Sequence, residues 1–338
     1  MAKYVRPIPS LDPARPPEAL PLAGGPGWFD RVECLSRDAP PEILPISACD
    51  PVHLATLSTA RAAIAGIAFD QPRLMGIVNV TPDSFSDGGQ YHRAEAAVAH
   101  GKSLAADGAD LLDIGGESTR PGAVEVPSSE EADRIAPVIA GLRAALDLPL
   151  SLDTRKAVVA QAGLAAGDNM INDVSGLRFD PALADVTAQA GAPLIVMHSI
   201  GTPETMQGQA ERAYADILLD VYDGLAAAVA QAEAAGIPRN QIIVDPGIGF
   251  GKTQAQNLAL IRRISLFHGL GCVILLGVSR KGFIGKIGQE PNAAQRGPGS
   301  AAVGLWALSQ GVQILRAHDI RAHAQAIRLW QAAHAVSV

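Results

Sequence analysis

Aromatic residues are scarce in this chain: Phe, Trp and Tyr together make up 4% of its 338 residues. Any core must therefore be built from aliphatic side chains and alanine. Cysteine is nearly missing too. Cys34, Cys49 and Cys272 are odd in number, far apart and form no C-x-x-C pair, which argues against a disulfide framework or a zinc site and for a reducing compartment. No stretch of about 18 uncharged apolar residues occurs, so no membrane span is expected. Prolines interrupt the first residues before an apolar run reaches signal-peptide length, and the chain is expected to be cytoplasmic. Positive charge is in deficit, with 27 Lys and Arg against 34 Asp and Glu and a net charge of −7. That balance argues against nonspecific binding to nucleic acid or an anionic membrane, but leaves room for a local basic site. Hydrophobic residues, at 48%, rule out a disordered chain.

Ten of the 24 prolines fall in residues 1–50. Each fixes φ and removes a backbone donor, so residues 1–72 are read as an irregular extension on the main domain. An alanine-rich stretch at 53–67 suggests one helix within it, begun by a capping Asp50 and a first-turn Pro51. From residue 73 the pattern changes. Eight short aliphatic runs, at 74–80, 110–116, 148–153, 169–173, 193–199, 241–245, 272–279 and 312–318, end in polar or glycine-rich residues. Longer alanine-rich segments separate them. Unbroken runs of this length suit strands buried on both faces. Eight alternating units over residues 73–338 predict an α/β fold, a (β/α)8 TIM barrel. The alternative, a doubly wound open sheet, would show G-x-G-x-x-G after its first strand, where this chain has Thr81-Pro82-Asp83.

Chemistry in such barrels collects at the C-terminal strand ends. Here those ends carry Asn79, Asp113, Asp153, Asn172 with Asp173, Met197 with His198, Asp245, Ser279-Arg280-Lys281, and Arg316 with His318. Each Asp or Asn alone could be a helix N-cap; Asn79 could be a turn residue, and Asp245 with Lys281 a structural ion pair. As a set they make chemical sense. Arg120, Lys281 and Arg316, with His318 beside them, suit a phosphorylated ligand. Asp153, Asn172 and Asp245 suit the N–H edge of a flat heterocycle, which a carboxylate meets with two parallel hydrogen bonds. Asp113 and Glu117 are expected to hold the second loop. The run PGIGFGKT (246–253) approaches a P-loop but places Pro246 where the first glycine is required, so ATP binding there is not expected. No Ser-His-Asp signature or G-x-S-x-G elbow occurs.

MGIVNVTPDSFSDGG (75–89), GADLLDIGGESTRPGA (108–123), SLDTRKAVVA (151–160), NMINDVSG (169–176), VDPGIGFGKT (244–253), LGVSRKGFIG (276–285) and LRAHD (315–319), in this order, resemble the dihydropteroate synthase family of folate biosynthesis. The resemblance covers about residues 73–335 and leaves the extension unexplained. It implies a transferase that joins 6-hydroxymethyl-7,8-dihydropterin diphosphate to 4-aminobenzoate, releasing diphosphate. It places pterin contacts on Asp153, Asn172, Asp245 and Lys281. It places the diphosphate on Asn79, Thr119, Arg120, Arg316 and His318, with Mg2+ at Asn79. It places the aminobenzoate wall on Pro121, Phe250, Lys281 and residue 282, with Phe85 and Ser86 on a first loop. Loops 81–93 and 116–128 are expected to close over substrate. A homodimer and sensitivity to sulfonamides are implied as well. One departure stands out: the family's usual Ser after S-R-K is Gly282 here. Two other readings are a pterin-binding methyltransferase domain and a noncatalytic pterin-binding homologue.

Overall fold

A computed structural model describes residues 4–80, 90–119, 122–202 and 205–335. The extension holds β1 (Tyr4–Pro7), β2 (Leu20–Pro21), β3 (Trp28–Phe29), β4 (Arg31–Leu35), β5 (Glu42–Pro45) and α1 (Pro51–Ser58). Eight strands then alternate with helices: β6 (Arg73–Asn79), α2 (Gln90–Ala106), β7 (Leu111–Gly115), α3 (Ser128–Ala145), β8 (Leu150–Asp153), α4 (Ala157–Ala166), β9 (Met170–Asp173), α5 (Leu183–Gln189) and β10 (Leu194–Met197). They continue with α6 (Met206–Gln209), α7 (Ile217–Ala234), β11 (Ile242–Asp245), α8 (Gln254–Arg262), β12 (Val273–Leu276), α9 (Gly282–Ile287), α10 (Gly297–Ser309), β13 (Ile314–Ala317) and α11 (Ile320–Ala335). Strands β6 to β13 pair in parallel, and β13 returns to β6, so the sheet closes into the eight-stranded barrel expected.

Strand alternation sorts the barrel's residues. Leu112, Ile114, Leu152, Val196, Val244 and Leu315 face the helices and form the large outer core. Met75, Leu111, Met170, Ile195, Ile243, Val273 and Ile314 face inward near the strand starts and form a separate apolar floor. Two residues on, towards the strand ends, the same parity places the polar Asp113, Ser151, Asn172, Asp245 and Arg316 beside Ile77 and Met197. Register aligns Asn79 with Gly115, Gly115 with Asp153, and Asp153 with Asn172. The site therefore arises from the same two-residue period that builds the floor.

The extension is more regular than its prolines suggest. Strands β1, β4 and β5 form an antiparallel sheet, and β2 pairs with β3. Pro7, Pro21 and Pro45 lie at strand ends, where a missing donor costs the ladder little. One face of the sheet packs on Leu22, Phe29, Ile46 and Leu57. The other is stapled to the barrel: Glu33 accepts from Arg263 at 3.0 Å and from its sheet neighbour Arg6 at 2.6 Å, Arg6 also donating to Ser265 at 3.3 Å, and Arg37 donates to Asp220 at 2.7 Å and Asp223 at 2.9 Å.

The helix expected at 53–67 is shorter than that. Asp50 caps it through Val52 N–H at 2.9 Å, as its sequence suggests. It ends at Ser58, however, and Arg61 covers its last carbonyls, donating to Thr56 and Thr59 at 3.0 Å each while also reaching His268 and Cys272. Ala65 and Gly66, both at positive φ, then turn a small hairpin between Ile64 and Ile67. Ile64, Ile67 and Phe69 plug the barrel floor. Helix propensity in the alanine run loses to the demand for an apolar seal beneath an open barrel.

Candidate active site

At the strand ends the structure gathers five of the predicted residues with one that sequence reasoning placed elsewhere. Arg316, on β13, donates from Nε to Asp113 Oδ2 at 2.6 Å and from Nη2 to Asp153 Oδ2 at 2.8 Å. Asn172 donates to the same Asp113 oxygen at 3.0 Å. Asp113 thus sits in the barrel interior and does not hold the second loop. The expectation failed because the alternation of β7 turns it inward, two residues beyond the floor residue Leu111. Arg316, which the sequence groups with phosphate-binding cations, forks onto two buried carboxylates.

Those carboxylates are under strain of charge. Burial pushes Asp153 up, Arg316 opposes the shift, and Asp113 adds to it. Asp113 Oδ1, Asp153 Oδ1 and Ser151 Oγ are buried without a partner among the described residues. Buried acceptors left in this way call for donors from a ligand or water. Asp245, 6% exposed, accepts from Gly247 N–H at 2.7 Å and is also pushed up by burial, with Gly247 and Lys281 opposing.

Lys281 is pulled down to about 8 by burial, with Asp245 offsetting part of the shift and Arg316 adding to it. Its ammonium lies 4.1 Å from the centre of the Phe250 ring, a cation–π contact. Among the described residues no carboxylate oxygen lies within ion-pair distance of it, so Lys281 and Asp245 do not form the structural ion pair considered above. His318 is oriented by Ser279, whose Oγ accepts its backbone N–H at 3.1 Å and lies 3.0 Å from Nδ1. Asn79 and Thr119 are half-buried at the ends of β6 and the β7 turn. Arg120, Pro121, Phe85 and Ser86 lie outside the described residues, as does most of the loop expected at 81–93.

The P-loop-like run has a different use. Lys252 points inward, and its ammonium donates to three carbonyls, those of His198 at 3.0 Å, Gly247 at 2.9 Å and Phe250 at 3.0 Å. Three acceptors match three N–H groups, so the geometry requires the charged form although burial pulls Lys252 down. Thr253 closes a capping box with Gln256 at the start of α8. Gly247 is obligatory at φ 66°, since a Cβ there would stand 1.9 Å from the His198 carbonyl oxygen. His198 itself packs outward against Gly224 of α7 and does not line the mouth.

Glu117 anchors the second loop as expected, accepting from Val126 N–H at 3.3 Å and pairing with Arg155 at 3.0 Å and Lys156 at 2.9 Å. Lys156 also reaches Glu131 at 2.7 Å. These two cations were not singled out from sequence, although they follow Asp153 and Thr154 directly.

Among the described residues no cluster of three His, Cys, Asp or Glu side chains forms a metal site. Asn79 offers one neutral oxygen. That donor set fits Mg2+ only if the ion takes its remaining oxygens from substrate phosphates and water, as Mg2+ commonly does.

A model of pterin binding enzymes matches residues 75–318. The dihydropteroate synthase of Synechocystis sp. is 45% identical over 252 residues, covering 75% of this chain and 86% of that protein. The structure of Xanthomonas albilineans dihydropteroate synthase with 4-aminobenzoic acid aligns with a TM-score of 0.76 at 46% identity, over 82% of this chain and 99% of that one. The same enzyme in complex with 7,8-dihydropteroate aligns at 0.72 and 43%, over 80% and 97%. With the barrel matched from its first strand to its last and the solved chains covered almost end to end, this chain belongs to the dihydropteroate synthase family of pterin-binding enzymes.

Proposed function

We propose that this chain condenses 6-hydroxymethyl-7,8-dihydropterin diphosphate with 4-aminobenzoate to give 7,8-dihydropteroate and diphosphate. The observation that carries the reading is the row of buried acceptors inside the mouth, Asp153, Asn172, Asp245 and the Asp113 that braces them. A pterin's ring N–H and amino groups supply the donors that Asp153 Oδ1 lacks. Binding then favours the charged form of Asp153, which burial disfavours.

Lys281 and Phe250 stand beside this slot as one wall, with the ammonium over the ring. They are suited to an arylamine stacked next to the pterin. Mg2+, held by Asn79 and the diphosphate oxygens, would neutralise charge developing on the leaving group. His318, fixed by Ser279, and Arg316 add donors and positive potential on that side.

The step breaks the bond between the CH2 carbon and the diphosphate oxygen, and the amine nitrogen forms the new bond. The surplus amine proton leaves to water or to diphosphate. Diphosphate departs readily, the dihydropterin ring shares the positive charge left on carbon, and the arylamine is neutral at pH 7. No activated Ser or Cys is needed, and the reaction is read as SN1-like.

Diphosphate release requiring both substrates tests the reading. Pterin binding without release would leave a noncatalytic homologue, and methyl transfer would leave the methyltransferase reading. A chemical step insensitive to arylamine nucleophilicity is expected; a steep dependence would overturn the SN1-like course.

A further inference from the structure

Lys281 and His318 sit on separate loops, after β12 and after β13. Arg280, directly before Lys281, adopts an unusual conformation with φ 59°. A side chain with a Cβ is strained in that left-handed region, and such residues persist only where their surroundings over-determine them. Arg280 is held through both backbone polar groups and two nitrogens of its guanidinium. Its N–H donates to Ser300 Oγ at 2.9 Å. Its carbonyl accepts from Arg296 Nη1 at 3.1 Å. Its guanidinium forks onto Asp319, Nε to Oδ2 at 2.9 Å and Nη2 to Oδ1.

Sequence neighbours make this fork informative. Asp319 directly follows His318, and Ser279, which orients His318, directly precedes Arg280. Lys281 directly follows it. Two ties therefore run between the same two loops, Ser279 to His318 and Arg280 to Asp319. The second brings no net charge to the mouth, because the two ions cancel. Its side chains are 31% and 22% exposed, so water screens part of its contribution to stability. A glycine at 280 would adopt the same backbone without strain but would make no fork. A bidentate fork fixes orientation as well as distance.

We propose that Arg280 and Asp319 are positioning residues for the transfer reaction: their ion pair locks the β12 and β13 loops together, so that Lys281 at the ring slot and His318 at the leaving-group side keep one separation. The inference rests on the functional reading above. It predicts that Arg280→Gly and Asp319→Asn lower kcat by about 10²-fold, the cost of a misplacement on the order of 1 Å. KM for the pterin substrate should rise far less. Melting temperatures should stay close to the parent's. Arg280→Lys, which restores charge without the fork, should recover only part of kcat. The double variant Arg280→Gly/Asp319→Asn should fall no lower than the worse single one, since both remove one interaction.

The experiment measures kcat, both KM values and the melting temperature of these variants beside the parent. If Arg280→Gly does not fold, Asp319→Asn decides alone, since it leaves the left-handed residue untouched. Folded variants whose kcat stays within about twofold of the parent overturn the proposal, as does a loss that tracks only the folded fraction. A parent that releases no diphosphate with both substrates sinks the functional reading and the proposal with it; an active parent with indifferent variants sinks the positioning role alone.

Discussion

The floor and the mouth of this barrel are made by the same strands and differ by a single step of the strand period. On β7, Leu111 lies in the floor and Asp113 in the mouth. On β9 the pair is Met170 and Asn172, on β11 Ile243 and Asp245, and on β13 Ile314 and Arg316. Two residues span about 6.6 Å, and over that distance the interior changes from a sealed apolar cluster to a network of ionisable groups. The floor is closed by the chain's own Ile64, Ile67 and Phe69. The mouth is left with unpartnered acceptors on Asp113, Ser151 and Asp153, each costing about 1–3 kcal/mol when unsatisfied. One end of the barrel carries stability, and the other holds polar groups that, on the reading proposed above, a ligand would satisfy.

The largest effects should come from the mouth. Arg316→Met leaves Asp113 and Asp153 facing each other without their shared cation. A kcat loss of about 10²–10³-fold is expected, as for removal of a preorganised electrostatic contact. Breaking a buried pair from one side also costs about 3–5 kcal/mol of stability. Loss of the cation raises Asp153 further, so the stability deficit should shrink as pH falls and that carboxyl takes up its proton. Denaturant unfolding at pH 5 and pH 8, beside steady-state kinetics, checks both parts; a pH-independent deficit would mean that the carboxylates are not what Arg316 stabilises.

The floor should answer in the opposite way. Ile64→Ala removes a fully buried plug residue and is expected to cost about 2–5 kcal/mol. Turnover per folded molecule should not change. A fall in kcat matching the fall in stability would show that the two ends are mechanically coupled and would break the comparison.

Much of this division was legible beforehand. The eight aliphatic runs gave the barrel because parallel strands buried on both faces leave unbroken apolar words in the sequence. The polar strand ends gave Asn172, Asp153, Asp245 and Lys281 for the same reason. Asp113 was misplaced because its chain neighbours belong to a glycine-rich loop, whereas its direction is set by strand parity and its partner Arg316 lies 203 positions away. Lys252 was rightly denied a P-loop role, but its three carbonyl partners come from two loops that only the fold brings together. The plug at 64–69 was hidden inside a helical composition. Its hairpin exists because the barrel floor needs covering, which no local pattern records.

Asp168 tests the boundary between buried charge and buried structure away from the mouth. It precedes β9 by two residues, and among the described residues neither carboxyl oxygen has a partner. Burial, then Asp113, pushes it up to about 8, against a smaller pull from Arg143. The folded value lies above the unfolded one, near 3.9. The stability this carboxyl lends is therefore fully present below the unfolded value and is lost as pH rises through about 8. Asp168→Asn cannot ionise. Relative to the parent it should gain about 2–3 kcal/mol between pH 6 and pH 9, read from denaturant midpoints at the two values. Parallel pH profiles for the two proteins would mean that Asp168 finds a partner in solution.

The smallest expected effect lies at Gly282, the first residue of α9 and the point where this chain departs from its family's usual serine. A Cβ at this position would meet no atom within 4 Å, so a side chain fits without moving anything. It stands next to Lys281, at the wall proposed for 4-aminobenzoate. A serine hydroxyl there can donate one hydrogen bond to the substrate's carboxylate, worth a net 0.5–1.5 kcal/mol or roughly two- to tenfold in affinity. The contact would be made equally in the ground and transition states, so Gly282→Ser should lower KM for 4-aminobenzoate by that factor and leave kcat alone. Sulfonamides, if they occupy the same wall, should gain affinity in parallel. Steady-state kinetics with the pterin substrate saturating reads the change directly. An unchanged KM would show that the carboxylate is held elsewhere in this enzyme, and the polar mouth would then end at Lys281 and not extend onto the helix beyond it.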